Sequence, residues 1–150
     1  KNIQGLWLGH FFPWDGADNA ITAIKHGFRT WYGPVEGCGY DYENLDNHQT
    51  CVHDYFKYIK YGFGRCTDIV SNHIRRKNIT RNEAIEMIKI YDGKYPSTYL
   101  GKQLIDILYS IDMSDVEFIE ICNNFANKTL FKCRKGRIPK PLFKQSIGNA

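Results

Sequence analysis

The apolar positions change rhythm twice along the chain. Ile3 to Phe12 is a dense run of β-formers and apolar residues, which predicts a strand stopped by Pro13–Gly16. Asp18, or Asp15 in the turn before it, then caps a short helix carrying Ala20, Ile21, Ala23 and Ile24, and Gly27 ends it. Phe28 to Gly33 reads as a second short strand. Strand, helix and strand together read as the end of an α/β sheet. From Pro34 to Gln49 the pattern dissolves into a long loop, of a length often used for function.

From Thr50 onward the period becomes helical. Val52, Tyr55, Phe56 and Ile59 follow the i, i+3, i+4, i+7 spacing of a helix that Gly62–Gly64 breaks. Ile69, Val70, His73 and Ile74 line the next helix. Thr80 with Glu83, and Ser114 with Glu117, are capping boxes that open two more. A further helix is predicted over Pro96 to Leu108. The fold class expected is mixed α/β leaning to α, with three regions: 1–49 as the end of an α/β domain, 50–127 as a lobe of about five helices, and 128–150 as a loose basic tail.

Composition changes this picture little. Hydrophobic residues at 43% and charged residues at 24% are ordinary for a globular chain. The net charge of +4 is concentrated in the tail, where Lys132, Arg134, Lys135, Arg137, Lys140 and Lys144 face no acid in sequence. The rest is nearly balanced, so no nucleic-acid partner is expected. Five cysteines with no Cys-x-x-Cys spacing match no zinc signature and read as free thiols of a reducing, cytoplasmic compartment. No apolar run is long enough to span a bilayer, and no membrane partner is expected. The chain opens on Lys1 inside an apolar run, as a piece of a longer polypeptide would.

Several side chains are candidates for chemistry. Trp14 and Asp15 follow the first predicted strand, where ligands of open α/β sheets bind; Asp15 there holds a hydroxyl or a cation, or merely caps the helix. Glu36, Asp41 and Glu43, with Tyr42, sit in the glycine-rich loop and suit a sugar, through acceptor bonds and ring contacts, or are merely solvated loop acids. His53, Lys57 and Lys60 form a polar stripe at i, i+4, i+7. Arg65 follows two glycines and offers a forked donor to an anion, with Asp68 in the first turn of the next helix. The basic tail is a solvated segment or lies on an anionic partner. Metal ligation and a nucleophilic triad have no support, and no glycine-rich phosphate loop occurs.

The order of FPWDG (12–16), PVEG (34–37), YDYEN (40–44), HDYFKYIKYGFGRCTD (53–68) and IRRKNITRNEAIEMIKIYDGKYP (74–96) resembles the N-acetyl sugar amidotransferase family of lipopolysaccharide and flagellar glycan synthesis. The resemblance is to the carboxyl-terminal part of such proteins. It implies an enzyme that converts the N-acetyl group of a sugar, such as the nonulosonic (pseudaminic) acids, to an acetamidino group. It further implies use of ATP, bound through a pyrophosphate loop that lies outside this chain, upstream or in trans, and ammonia from a glutaminase subunit. Trp14, Asp15, Glu36, Tyr42, Glu43, His53, Lys57, Lys60, Arg65 and Asp68 fall in the shared motifs and are the expected substrate contacts, the polar stripe facing the substrate cleft. The alternative is a non-catalytic helical module that docks an acidic partner through Lys57, Lys60 and Arg65.

Overall fold

A computed structural model describes residues 3–143, which divide into two units meeting between Thr30 and Trp31. The described residues contain six helices and two small antiparallel strand pairs, a mixed fold leaning to α.

In the first unit, the apolar run does not form a strand. Its backbone closes on itself in a 3-10 turn at Leu8–His10, with Phe11 N–H donating to the Leu8 carbonyl at 3.0 Å. A strand needs a ladder partner, and among the described residues of this unit no strand supplies one. Helix α1 spans Gly16–Lys25. Asp15, not Asp18, is its N-cap: the carboxylate accepts from Ala17 N–H at 2.8 Å and Asp18 N–H at 3.3 Å.

The second unit is the helical lobe. The strand expected over 28–33, a stretch that runs from the first unit into the second, is absent too; the stretch is irregular, and Trp31 N–H donates to the Asp41 backbone carbonyl at 2.8 Å. The long loop of 34–49 is packed rather than loose. Val35 and Cys38 are fully buried and Val35 N–H meets the Tyr40 carbonyl at 3.0 Å.

Helix α2 (Thr50–Tyr61) ends at Gly62 and α3 (Arg65–Arg75) follows at once. Helix α4 (Arg81–Tyr91) and helix α6 (Asp115–Phe125) begin with the two expected capping boxes, both fully formed. The helix expected over Pro96–Leu108 is much shorter. Residues 98–103 instead form a hairpin, β1 (Thr98–Tyr99) with β2 (Lys102–Gln103), and only Leu104–Tyr109 is helical (α5). Its tight turn sets Leu100 at φ 46° and Gly101 at φ 74°, values a helix cannot use.

The expected loose tail is also corrected as far as Phe143: β3 (Phe131–Arg134) and β4 (Arg137–Pro141) form a second hairpin, and the remainder of the tail, Lys144 included, lies outside the described residues. Alternation explains it, since Phe131 and Cys133 face inward while Lys132 and Arg134 face out. The largest core joins α2, α5, α6 and β3 through Tyr55, Ile59, Leu108, Phe118, Cys122 and Phe131. A second core gathers Val35, Cys38, Cys51, Ile69, Tyr99 and Ile107 beneath the long loop.

Candidate functional site

Four segments of the second unit converge on a cavity of about 220 Å³. The loop contributes Pro34 and Glu36, and α2 presents Cys51, Asp54, Tyr55 and Tyr58. The start of α3 adds Gly64 and Arg65, and the segment from Tyr91 to Thr98 closes the rim with Asp92, Lys94 and Tyr95.

The closeness of these segments has a local cause. The buried Asp92 carboxylate accepts from Gly64 N–H at 2.9 Å and from Thr67 N–H at 3.4 Å, and it also takes the Thr67 hydroxyl. It therefore satisfies the open N–H groups at the start of α3, whose own N-cap has no side chain. A Cβ at Gly64 would lie 2.7 Å from Asp92 Oδ1, so only glycine admits the carboxylate. Gly93, at φ +75°, lies so close to Tyr58 that a Cβ would come within 2.2 Å of its ring.

Arg65 is held in place rather than free. Its Nη2 donates to Glu43 Oε2 at 2.8 Å, and Nε is buried without a hydrogen-bond partner. Burial opposes its charge, but the Glu43 bond and the fields of Glu43 and Asp54 outweigh it and raise the guanidinium pKa. Glu36 accepts from the Thr98 hydroxyl and from Leu100 N–H, both at 3.3 Å, and so steadies the β1–β2 turn at the left-handed Leu100. Asp54 accepts from Asn44 Nδ2 at 3.5 Å. Lys94 forms no ion pair among the described residues.

The remaining expected residues are placed elsewhere. Trp14 and Asp15 belong to the first unit. The Tyr42 hydroxyl lies 3.2 Å from Nε2 of the buried His73. The side chain of His53 is 80% exposed and meets only the neighbouring Asp54. Lys57 is paired with Asp68 and lies over the Phe63 ring, while Lys60 covers the Phe56 and Phe125 rings. The polar stripe of α2 thus contributes none of its three residues to the cavity; the adjacent face, with Cys51, Asp54, Tyr55 and Tyr58, does.

Asp54, Asp92, Lys94 and Tyr95 were not among the expected contacts. The Tyr91–Pro96 motif reads in sequence as the end of a helix, and its carboxylate reaches a partner 28 residues away.

The chemistry on offer is recognition rather than nucleophilic attack. Burial pushes the Cys51 thiol up to about 11, and it raises the Tyr55 and Tyr95 hydroxyls as well, the latter further held by its 2.7 Å bond to Asp115. These groups stay protonated near neutrality. Acceptors, donors and aromatic rings line the cavity together. Among the described residues no group of His, Cys, Asp and Glu could hold a metal ion, and no helix is long and apolar enough to cross a membrane.

A mainly α-helical lobe with a polar, tyrosine-lined cavity is the class of protein that fold and site define. The family model described as LPS biosynthesis protein WbpG-like, C-terminal domain, matches residues 25–145, and the chain belongs to this family of lipopolysaccharide biosynthesis proteins. A search of curated proteins gives no match.

Proposed function

We propose that this domain is the sugar-holding lobe of an ATP-dependent amidotransferase in lipopolysaccharide biosynthesis. The enzyme replaces the acetamido oxygen of an N-acetyl sugar by ammonia nitrogen, giving an acetamidino group, while ATP is spent to AMP and pyrophosphate. The sugar class is a nonulosonic acid of the pseudaminic type, as on flagellin and lipopolysaccharide. A glutaminase subunit supplies the ammonia.

The observation that carries this reading is the convergence of Glu36, Asp54, Arg65 and Lys94 with four tyrosines on one cavity. Glu36 and Asp54 are acceptors for sugar hydroxyls or an amide N–H, Arg65 and Lys94 are donors to carbonyl or carboxylate oxygen, and the tyrosine rings cover the apolar face of the ring.

The residues present do not fit the triphosphate. No Ser-Gly-Gly-x-Asp-Ser run occurs in the sequence, and the glycine-led start of α3, where a phosphate could bind backbone N–H groups, is filled by the Asp92 carboxylate. ATP is assigned to a separate pyrophosphate-loop domain, and no step at ATP is given to any residue here. The reading of the domain as a docking module for an acidic partner gains nothing from Lys57, which pairs with Asp68, or from Lys60, which lies over the Phe56 and Phe125 rings.

Titrating the domain with N-acetylneuraminic acid, followed by amide and tyrosine ring NMR shifts, tests the proposal. Shifts confined to the cavity and lost in Glu36→Ala and Arg65→Ala are expected. Shifts scattered over the surface, or none at high millimolar sugar, would sink it.

A further inference from the structure

The second hairpin shows a charge arrangement that the cavity does not use. Lys132 stands directly opposite Lys140, and Arg134 directly opposite Arg137. Lys132 and Arg134 are two residues apart on β3 and share a face; their partners Lys140 and Arg137 are three apart on β4, so the ladder shifts register between the two pairs, as at a β-bulge. All four side chains are exposed, whereas Phe131 and Pro139 are buried against the lobe. Lys135 at the turn is a fifth exposed cation.

Like charges directly opposite on a ribbon destabilise it. Here two such pairs stand in succession, and none of the five cations has an ion-pair partner among the described residues. The ribbon is nevertheless firmly mounted. The amide nitrogen of the buried Asn123, on α6, donates to the Arg134 carbonyl at 3.2 Å and the Arg137 carbonyl at 2.8 Å, on both sides of the turn. The fold thus holds two opposed cationic pairs outward and, among the described residues, supplies no anion for them.

We propose that this face of the β3–β4 hairpin docks the domain on an anionic phospholipid surface. Two features favour a lipid headgroup layer. Ile138 and Leu142, on β4 and just beyond it, are also exposed and suit the headgroup boundary, as apolar side chains of interfacial segments do. Among residues 128–142 the only aromatic, Phe131, is buried, so no ring is offered for stacking on nucleic-acid bases. Near an anionic bilayer surface each Lys or Arg gains about 1 kcal/mol, so five exposed cations on one hairpin suffice for docking. No membrane partner is expected from hydropathy because hydropathy reports spanning, whereas docking of this kind is electrostatic.

The test is co-sedimentation with vesicles of phosphatidylglycerol and phosphatidylcholine in equal parts, against vesicles of phosphatidylcholine alone. Binding to the anionic vesicles only, released as salt is raised, is expected. The double variant Lys132→Ala/Lys140→Ala should partition about 25-fold less, at roughly fivefold per cation. It should melt no lower than the parent, because it removes a repulsive pair, and so the loss is not unfolding. Lys132→Arg/Lys140→Arg should bind like the parent. Equal sedimentation with both vesicle types, no sedimentation with either, undiminished binding by the alanine variant, or retention of a labelled RNA oligonucleotide in place of the vesicles would each overturn the proposal.

Discussion

The Asp92 carboxylate sits 2.9 Å from the backbone nitrogen of Gly64 and caps a helix to which it is not adjacent in sequence. One contact thereby ends α4, starts α3 and fixes two walls of the cavity. Replacing it leaves the buried N–H of Gly64 and the Thr67 hydroxyl without their acceptor. Asp92→Ala is expected to cost about 2–3 kcal/mol, a lost cap plus buried donors left open. Asp92→Asn, which keeps one oxygen, should cost less. Urea midpoints at constant m-value measure both.

The neighbouring glycine should be as intolerant for a different reason. Gly93→Ala places a methyl within 2.2 Å of Tyr58 Cζ and also forces alanine to φ +75°. Overpacking and left-handed backbone together are expected to cost about 2–4 kcal/mol. Since the clash is with ring carbon, Tyr58→Phe does not relieve it. A Gly93→Ala protein melting as high as the parent would show that the segment repacks freely.

How much of this was legible in the sequence depends on the range of the interaction. The Thr80–Glu83 and Ser114–Glu117 boxes are closed by residues three apart, and both helix starts fall where those residues put them. The five-helix lobe follows from periodicity, which is also local. The run from Ile3 to Phe12 misleads because β-propensity describes a half-buried pleated surface, and that needs a neighbouring strand. Tyr99, Leu100 and Leu104 fit a helical spacing as well as a hairpin, and only the left-handed turn at Leu100–Gly101 separates the two. In the tail, charge concealed the alternation of Phe131 and Cys133 with Lys132 and Arg134. The cavity was half legible: Glu36 and Arg65 lie in compact motifs, but Asp92 reads as a helix end until α3 is placed beside it. The stripe of α2 was drawn correctly as a stripe, and its lysines are spent on Asp68 and on aromatic rings.

The mounting of the second hairpin gives a separate test. Asn123 donates from one nitrogen to the Ile119, Arg134 and Arg137 carbonyls, while its Oδ1 is buried without a partner. Asn123→Ala removes the bridge between helix and turn and is expected to cost about 1–3 kcal/mol. The loss should be local first. Amide exchange in Phe131–Pro141 should accelerate more than in α3 or α4, which hydrogen-exchange mass spectrometry resolves.

Alkaline pH should unfold the lobe through its buried thiols. Burial pushes Cys38, Cys66 and Cys122 up to about 12 and Cys51 to about 11, from an ordinary value near 9. Between those values the folded chain keeps protons that the unfolded chain has lost. Stability is therefore fully present below pH 9 and falls as pH rises toward 12. Urea midpoints should be level from pH 7 to about 8.5 and decline steadily above it. Replacing Cys38 by Ala should flatten that decline while lowering stability at neutral pH, because a fully buried side chain is lost. The same burial predicts two classes of thiol: Cys133, which is half-buried, reacts with a disulfide reagent in the native protein, and the other four react only at the rate of unfolding. Five thiols reacting together in native buffer would contradict the burial of Cys38, Cys51, Cys66 and Cys122.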